Sequence, residues 1–185
     1  PNAVLMDGAR IGSKCRIFPG AVIGAIPQDL KFAGERTTAE VGDGTTIREC
    51  VTINRGTADR QQTAVGSNTL LMAYVHLAHD CIVGNHTIFA NNASLAGHVQ
   101  VGDWVILGGF TGVHQFLRIG SHAMTAMCSC VLADVPPFVM AQGHPAAARS
   151  MNFEGLRRRG FTPERINAVK AMHKALYRDD LTLAQ

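Results

Sequence analysis

Charge and long apolar runs are both scarce in this sequence, and each shortage closes off a class of protein. Charged residues make up 17% of the 185 positions, and a formal net charge of +3 is too mild for a nucleic-acid-binding surface. Positive charge is dense only at Arg157, Arg158 and Arg159, which suits a phosphate or an acidic partner better than a long polyanion. No apolar run approaches the roughly 20 residues of a membrane span and no secretory signal opens the chain, so no membrane span is expected and the expected location is cytoplasmic. Metal-ligand spacing is also lacking among the five cysteines, Cys15, Cys50, Cys81, Cys128 and Cys130. Their odd number reads as reduced thiols in a cytosolic protein. The chain starts at Pro1, inside a repeat, and reads as a fragment whose first coils and C-terminal end lie outside it.

What is present is a period of six. Stepping by six from Leu5 to Val131 lands on an aliphatic residue or Phe at eighteen of twenty-two positions, missing only Asp29, Glu35, Asp59 and Thr125. Neither the 3.6-residue helix nor plain strand alternation has this period; the hexapeptide repeat of a parallel β-helix does. Each hexad makes a short strand and a corner, and three hexads close one triangular coil, so residues eighteen apart stack about 4.8 Å from each other along the axis. The fold class is therefore mainly β: a left-handed parallel β-helix of hexapeptide repeats with a short C-terminal α-helical region.

The repeat is expected over residues 1–137, with loops projecting from corners at about 24–40 and 54–64; both keep the six-residue phase on re-entry. Long loops on a rigid scaffold tend to carry function. Pro136 and Pro137 lack the donors a ladder needs, so the β-helix is expected to end there and residues 138–185 to begin a helical domain. A short helix is expected around 152–159. Thr162-Pro163-Glu164 reads as the start of a second helix, with Thr as cap and Pro at the first helical position, and Ile166, Val169, His173 and Leu176 form one stripe. Flat β-helix faces tend to associate unless covered, and a homotrimer with sites between subunits is the expected solution.

Position around the coil collects the polar chemistry. His76, His79, Asp80, His98, His114 and Gln115 leave remainders 4, 7, 8, 8, 6 and 7 on division by eighteen, which places them near one corner on neighbouring coils. A single histidine at such a corner is more often plain polar surface. Four together point to acid–base work, because His titrates near pH 6.5 and a neighbouring carboxylate orients the ring and stabilises its cation. His79 is the candidate base, Asp80 its support, and Gly97, stacked over His79, a candidate oxyanion donor through its N–H. A zinc site of the kind found in trimeric β-helical carbonic anhydrases needs a His, a second 36 positions on and a third five beyond. His86 and His122 have the first spacing, but Met127 stands third, so no metal and no cofactor are expected.

The segments "LLMAYVHLAHDCIVGNHTIFANNASLAGHV" and "GGFTGVHQF" resemble the UDP-N-acetylglucosamine O-acyltransferases that begin lipid A biosynthesis. The likeness extends to "IPQDLKFAGE", "IRECVTINRGT", "DVPPFVMAQG" and "NFEGLRRRGF". The resemblance implies transfer of an (R)-3-hydroxyacyl group from acyl carrier protein to the 3-hydroxyl of the UDP-sugar, without metal, in a homotrimer. By the same resemblance His79 is the general base with Asp80 behind it, and His76, His98, His114 and Gln115 contact sugar and diphosphate, joined by Asp29 and Lys31 from the first loop. Asn152, Glu154, Arg158 and Arg159 of a neighbouring subunit hold the uridine end, the arginine fork suiting a diphosphate. The sequence departs from the family pattern at Asn54, where His is frequent, and at Met127, where some members carry Gly at the end of the groove that measures acyl length. A side chain at Met127 implies a shorter acyl group. Two other readings stay open: a hexapeptide acyltransferase with another sugar nucleotide or an acyl-CoA donor, and an inactive trimeric scaffold.

Overall fold

The structure, a computed structural model, describes residues 1–178. It is a left-handed parallel β-helix with three flat faces. The first face stacks strands Val4–Leu5, Val22–Ala25, Thr52–Asn54, His76–Leu77, Ser94–Leu95, Gly112–Val113 and Cys130–Val131. The second stacks Ala9–Ile11, Thr38–Val41, Gln62–Val65, Ile82–Val83, Gln100–Val101 and Arg118–Ile119. The third runs from Arg16–Ile17 through Thr46–Ile47, Leu70–Leu71, Ile88–Phe89, Ile106–Leu107 and Met124–Thr125 to Val139–Gly143 and Ala146–Met151.

Register explains why the loops leave the phase intact. Paired residues are eighteen apart where the coil is uninterrupted, as in Ile82 and Gln100. They are thirty apart across the first loop, Ala9 with Ala39, and twenty-four across the second, Thr46 with Leu70. The excesses of twelve and six are whole hexads, so every inward residue stays inward. The irregular segments are narrower than the sequence suggests, 26–37 and 55–61, because the flanking residues pair into strands.

The six-step column is the core: Ile23, Ile47, Ile53, Leu71, Leu77, Phe89, Leu95 and Leu107 are fully buried. Thr125, a miss in the apolar pattern, is equally buried, and its hydroxyl lies 2.8 Å from that of Thr111 and accepts from the Gly108 N–H at 3.0 Å. A second inward column, two residues before the first, is built from small side chains such as Ala21, Val51, Thr69, Val75, Cys81, Ala93 and Val99. It lets the chain turn inside a narrow prism.

Each corner carries one residue in the left-handed region. From Tyr74 to Cys128 every sixth residue has φ between 55 and 66°, and among them are Asp80, His86, His98, Trp104, Phe116 and His122. Such backbone is uncommon for bulky residues, and here the ladder fixes it. Except at Asp80, whose N–H donates to the Thr63 hydroxyl, the N–H of each donates to a carbonyl of the coil below, as His98 to His79 at 3.0 Å and Trp104 to Asn85 at 2.9 Å. The outward side chains therefore line up in columns along the edges.

Past Val131 the ladder continues beyond the expected end. Val135 bridges to Ile119, and Val139–Gly143 pairs in parallel with Met124–Thr125 before folding back as a hairpin on Ala146–Met151. Pro136 and Pro137 are tolerated because they occupy the turn between these pairings, where no ladder donor is required. Helix α1, Phe153–Arg158, follows, capped by the Asn152 side chain, which accepts from the Gly155 N–H. Helix α2, Pro163–Tyr177, opens with the expected Thr162 cap and buries Ile166 and Val169, whereas Leu176 of the expected stripe is exposed. The expected helical region thus begins with a β-hairpin, and the end of that region, 179–185, lies outside the described residues.

Candidate active site

Both loops and the turns that carry His79 and His98 leave the same edge of the prism, between the first and second faces. The first loop and the neighbouring turns border an open cavity of about 460 Å³ lined by Asp29, Lys31, His76, His79, Gly97, His98 and Gln115, with Gln28 and Phe116. A second recess of about 310 Å³ lies between the loops, where Phe32, Thr57 and Asp59 join Asp29, Lys31 and His98. Asp29 is shaped locally: its carboxylate accepts from the Lys31 N–H at 3.0 Å.

Asp80 is the hub. It has no exposed surface, and its carboxylate accepts from the Thr57 hydroxyl at 2.6 Å, the Thr57 N–H at 3.0 Å and the Arg60 N–H at 3.3 Å, while the His79 Nδ1 lies 2.8 Å from Oδ2. Burial alone would push this carboxyl up. The Thr57 and His79 hydrogen bonds and the charge of His98 outweigh it and hold Asp80 below the ordinary carboxylate range. An anchored carboxylate on Nδ1 leaves His79 Nε2 as the ring's second polar atom, and the ring lines the cavity. Gly97 is required at its place: a Cβ there would stand 2.6 Å from His79 Cε1 and 2.8 Å from Nε2. The Gly97 N–H meets no acceptor among the described residues.

His98 lies between two carboxylates, with Nε2 3.6 Å from Asp80 Oδ2 and Nδ1 3.2 Å from Asp59 Oδ2. Its ring stacks on Phe116 at 4.5 Å. His76 sits lower on the strand with Nδ1 2.7 Å from the Thr52 hydroxyl, and burial pushes its pKa down, favouring the neutral ring. Cys81 beneath the site is no nucleophile, since burial pushes its thiol up to about 12.

Not every expected residue joins this cavity. His114 is exposed and lines a separate apolar recess of about 400 Å³ on the outer face of the first sheet, with Leu132 and Cys130; His76 borders both. Its place at the strand end, before the corner, separates it from His79. Asn152, Glu154, Arg158 and Arg159 lie at another edge of the same chain. Glu154 pairs with Arg158 at 2.9 Å and Arg157 at 3.4 Å, both exposed, whereas Arg159 turns inward and donates to the Trp104 carbonyl at 2.8 Å. Asn152 is buried, and its amide nitrogen donates to the His122 carbonyl at 3.0 Å. Met127 is 71% exposed at the third edge. Asn54 is buried and ties its side-chain nitrogen to the Ile26 carbonyl at 3.0 Å, anchoring the first loop.

The sequence reading did not single out Thr57, Asp59, Arg60 or Thr63, which hold Asp80 and His98. Thr63 accepts the Asp80 N–H at 2.8 Å, and the others come from a loop whose fold-back no period encodes. Among the described residues, His79, Asp80 and His98 form the one group whose ligand atoms, all within 4.8 Å, could hold a metal ion. The Asp80 carboxylate is already occupied by Thr57, Arg60 and His79, a donor set that fits an imidazole partner better than a cation. His86 and His122 do not converge, because the Trp104 ring is stacked between them, at 4.2 and 6.3 Å.

The geometry has close counterparts. Residues 134–185 match the family model described as UDP-N-acetylglucosamine O-acyltransferase, domain 2, and residues 63–97 match the bacterial transferase hexapeptide model. The acyl-(acyl-carrier-protein)–UDP-N-acetylglucosamine O-acyltransferase of Albidiferax ferrireducens is 66% identical over 93% of the chain and 66% of its own length. The protein of the same description from Verminephrobacter eiseniae is 55% identical over 97% of the chain and 69% of its length. The chain thus spans about two thirds of the length of these relatives. Among solved structures, a UDP-N-acetylglucosamine acyltransferase from Bacteroides fragilis superposes with a TM-score of 0.96 at 46% identity, covering 98% of this chain and 71% of that one. The Francisella novicida enzyme gives 0.92 at 35% identity, covering 99% and 81%.

Proposed function

The chain belongs to the UDP-N-acetylglucosamine O-acyltransferase family, and on that premise we propose that it moves an (R)-3-hydroxyacyl group from acyl carrier protein to the 3-hydroxyl of UDP-N-acetylglucosamine, the opening step of lipid A biosynthesis. The observation that carries the mechanism is the His79–Asp80 pair at 2.8 Å, buried on the carboxylate side and open to the cavity on the other.

His79 Nε2 takes the proton of the sugar 3-hydroxyl as its oxygen attacks the thioester carbonyl. Asp80, ionised and held by Thr57 and Arg60, fixes the ring and stabilises the imidazolium that forms. The Gly97 N–H offers a donor to the developing oxyanion. When the carbon–sulfur bond breaks, the imidazolium returns its proton to the leaving thiolate, giving the ester and the carrier's free thiol. His76, His98, Gln115, Asp29 and Lys31 surround the sugar, and His114 extends the contact along the sheet. Asn152, Glu154, Arg158 and Arg159 approach from a neighbouring subunit of a homotrimer, a reading supported by the apolar recess left open on the first face. Met127 limits the length of the acyl chain.

An assay with UDP-N-acetylglucosamine and a ladder of hydroxyacyl carrier-protein donors, read by product mass, tests this. The expected product is the 3-O-hydroxyacyl sugar nucleotide, with dependence on the carrier protein. Equal activity with acyl-CoA donors would point to another acyltransferase, and UDP-sugar binding without transfer to a scaffold.

A further inference from the structure

The three consecutive arginines that close α1 have different surroundings. Arg157 and Arg158 are exposed and share Glu154, an arrangement worth little in water. Arg159 is half-buried against the edge between the second and third faces. Its Nη2 donates to the Trp104 carbonyl at 2.8 Å, its Nη1 stands 3.4 Å from His122 Nδ1, and its guanidinium carbon lies 5.6 Å from the centre of the Trp104 ring. Those rings are fixed in turn. Trp104 stacks on His86 at 4.2 Å, and His122 stacks on Phe138 at 5.5 Å and meets Phe161 edge-on at 5.1 Å. The His122 carbonyl accepts from the Asn152 side chain, which also caps α1. One corner column thus meets the guanidinium with a carbonyl, a ring face and an imidazole nitrogen.

Guanidinium carries five N–H donors and no acceptor, so His122 faces it with a lone pair, and only part of the fork is occupied. We propose that Trp104 and His122 are positioning residues that hold Arg159 with its remaining N–H groups free for the diphosphate of the nucleotide sugar; the inference rests on the reading of Arg159 given above. Preorganising a bidentate group cuts the ordering cost of binding and acts on substrate affinity rather than on the chemical step. The electrostatics agree with the contact: burial and then the Arg159 charge push His122 down, against the opposing pull of Asp103.

The test is steady-state kinetics in the UDP-sugar with the full chain, for Arg159→Ala, His122→Asn, Trp104→Asn and the doubles; Asn tolerates the left-handed backbone at both corners. The expected result is a fivefold to tenfold rise in KM for each single variant, kcat nearly unchanged for His122→Asn and Trp104→Asn, and no further rise when either is combined with Arg159→Ala. A raised KM for Arg159→Ala with unchanged KM in both ring variants, or effects that simply multiply in the doubles, would overturn the cradle and leave the Arg159 reading standing. An unchanged KM for Arg159→Ala would remove the reading itself and the inference with it. If a ring variant fails to fold, NMR titration of His122 in Arg159→Ala decides: its pKa rises if the contact exists, and an unmoved value overturns the proposal.

Discussion

Two edges of the prism use one backbone device for different chemistry. Along the edge between the first and second faces, the left-handed corner positions hold Asp80, His98 and Phe116; along the next edge they hold His86, Trp104 and His122. At the first edge the inserted loop 55–61 folds back over a buried carboxylate and supplies it with hydroxyl and backbone donors. Among the described residues the second edge carries no such loop, and its rings stack on one another with the Arg159 guanidinium against Trp104. The ladder sets where corner side chains point. Whether a corner becomes an acid–base centre or a support for a cation depends on what else reaches it.

The contrast can be broken at its strongest point first. His79→Ala is expected to lower kcat by roughly 10² to 10⁴ while thermal unfolding stays close to that of the parent, because the lost group acts as a base on the cavity side. Normal turnover would place the chemistry elsewhere. Next comes Gly97→Ala: its Cβ would collide with the His79 ring, so a fall in kcat of about tenfold or more is expected with the coil intact.

Asp80→Asn separates charge from shape. It should lower kcat and cost about 1–3 kcal/mol of stability, since hydrogen bonds to a buried carboxylate are lost or inverted. Its pH dependence has a definite sign. Asp80 holds protons less readily folded than unfolded, so its contribution is complete above the ordinary value near 3.8 and is lost as pH falls through the lower folded value. Melting temperatures measured across that acid range should fall less steeply in Asp80→Asn than in the parent; identical slopes would contradict the assignment. The smallest structural effect is expected for Met127→Gly, at an exposed position on the third edge, within about 0.5 kcal/mol in stability. Activity should nonetheless shift toward longer acyl donors, read by the same product masses; an unchanged preference would remove Met127 as the length determinant.

Much of this was legible in the sequence, for a specific physical reason. A repeat of six converts position into place, so the meeting of His79, Asp80, Gly97 and His98 followed from counting, and whole-hexad insertions kept the count valid. The small inward column went unread because Ala, Thr, Val and Cys carry no common hydropathy signal. Loop chemistry was hidden as well, since nothing local tells that Thr57 and Arg60 return to Asp80. His114, a residue from the corner by count, faces the open sheet, and the ladder past Pro136 and Pro137 survives because the prolines fall in a turn. Charge alone could not distinguish Arg159 from its two neighbours; its contact with Trp104 spans 55 positions.

The central claim is that His79 Nε2 receives the proton of the attacking sugar hydroxyl. A structure of the protein with UDP-N-acetylglucosamine bound measures this directly. The account predicts the 3-hydroxyl oxygen within about 2.6–3.2 Å of His79 Nε2, with the ring still on Asp80. A 3-hydroxyl out of reach of His79 and within hydrogen-bond distance of a different side chain would contradict it.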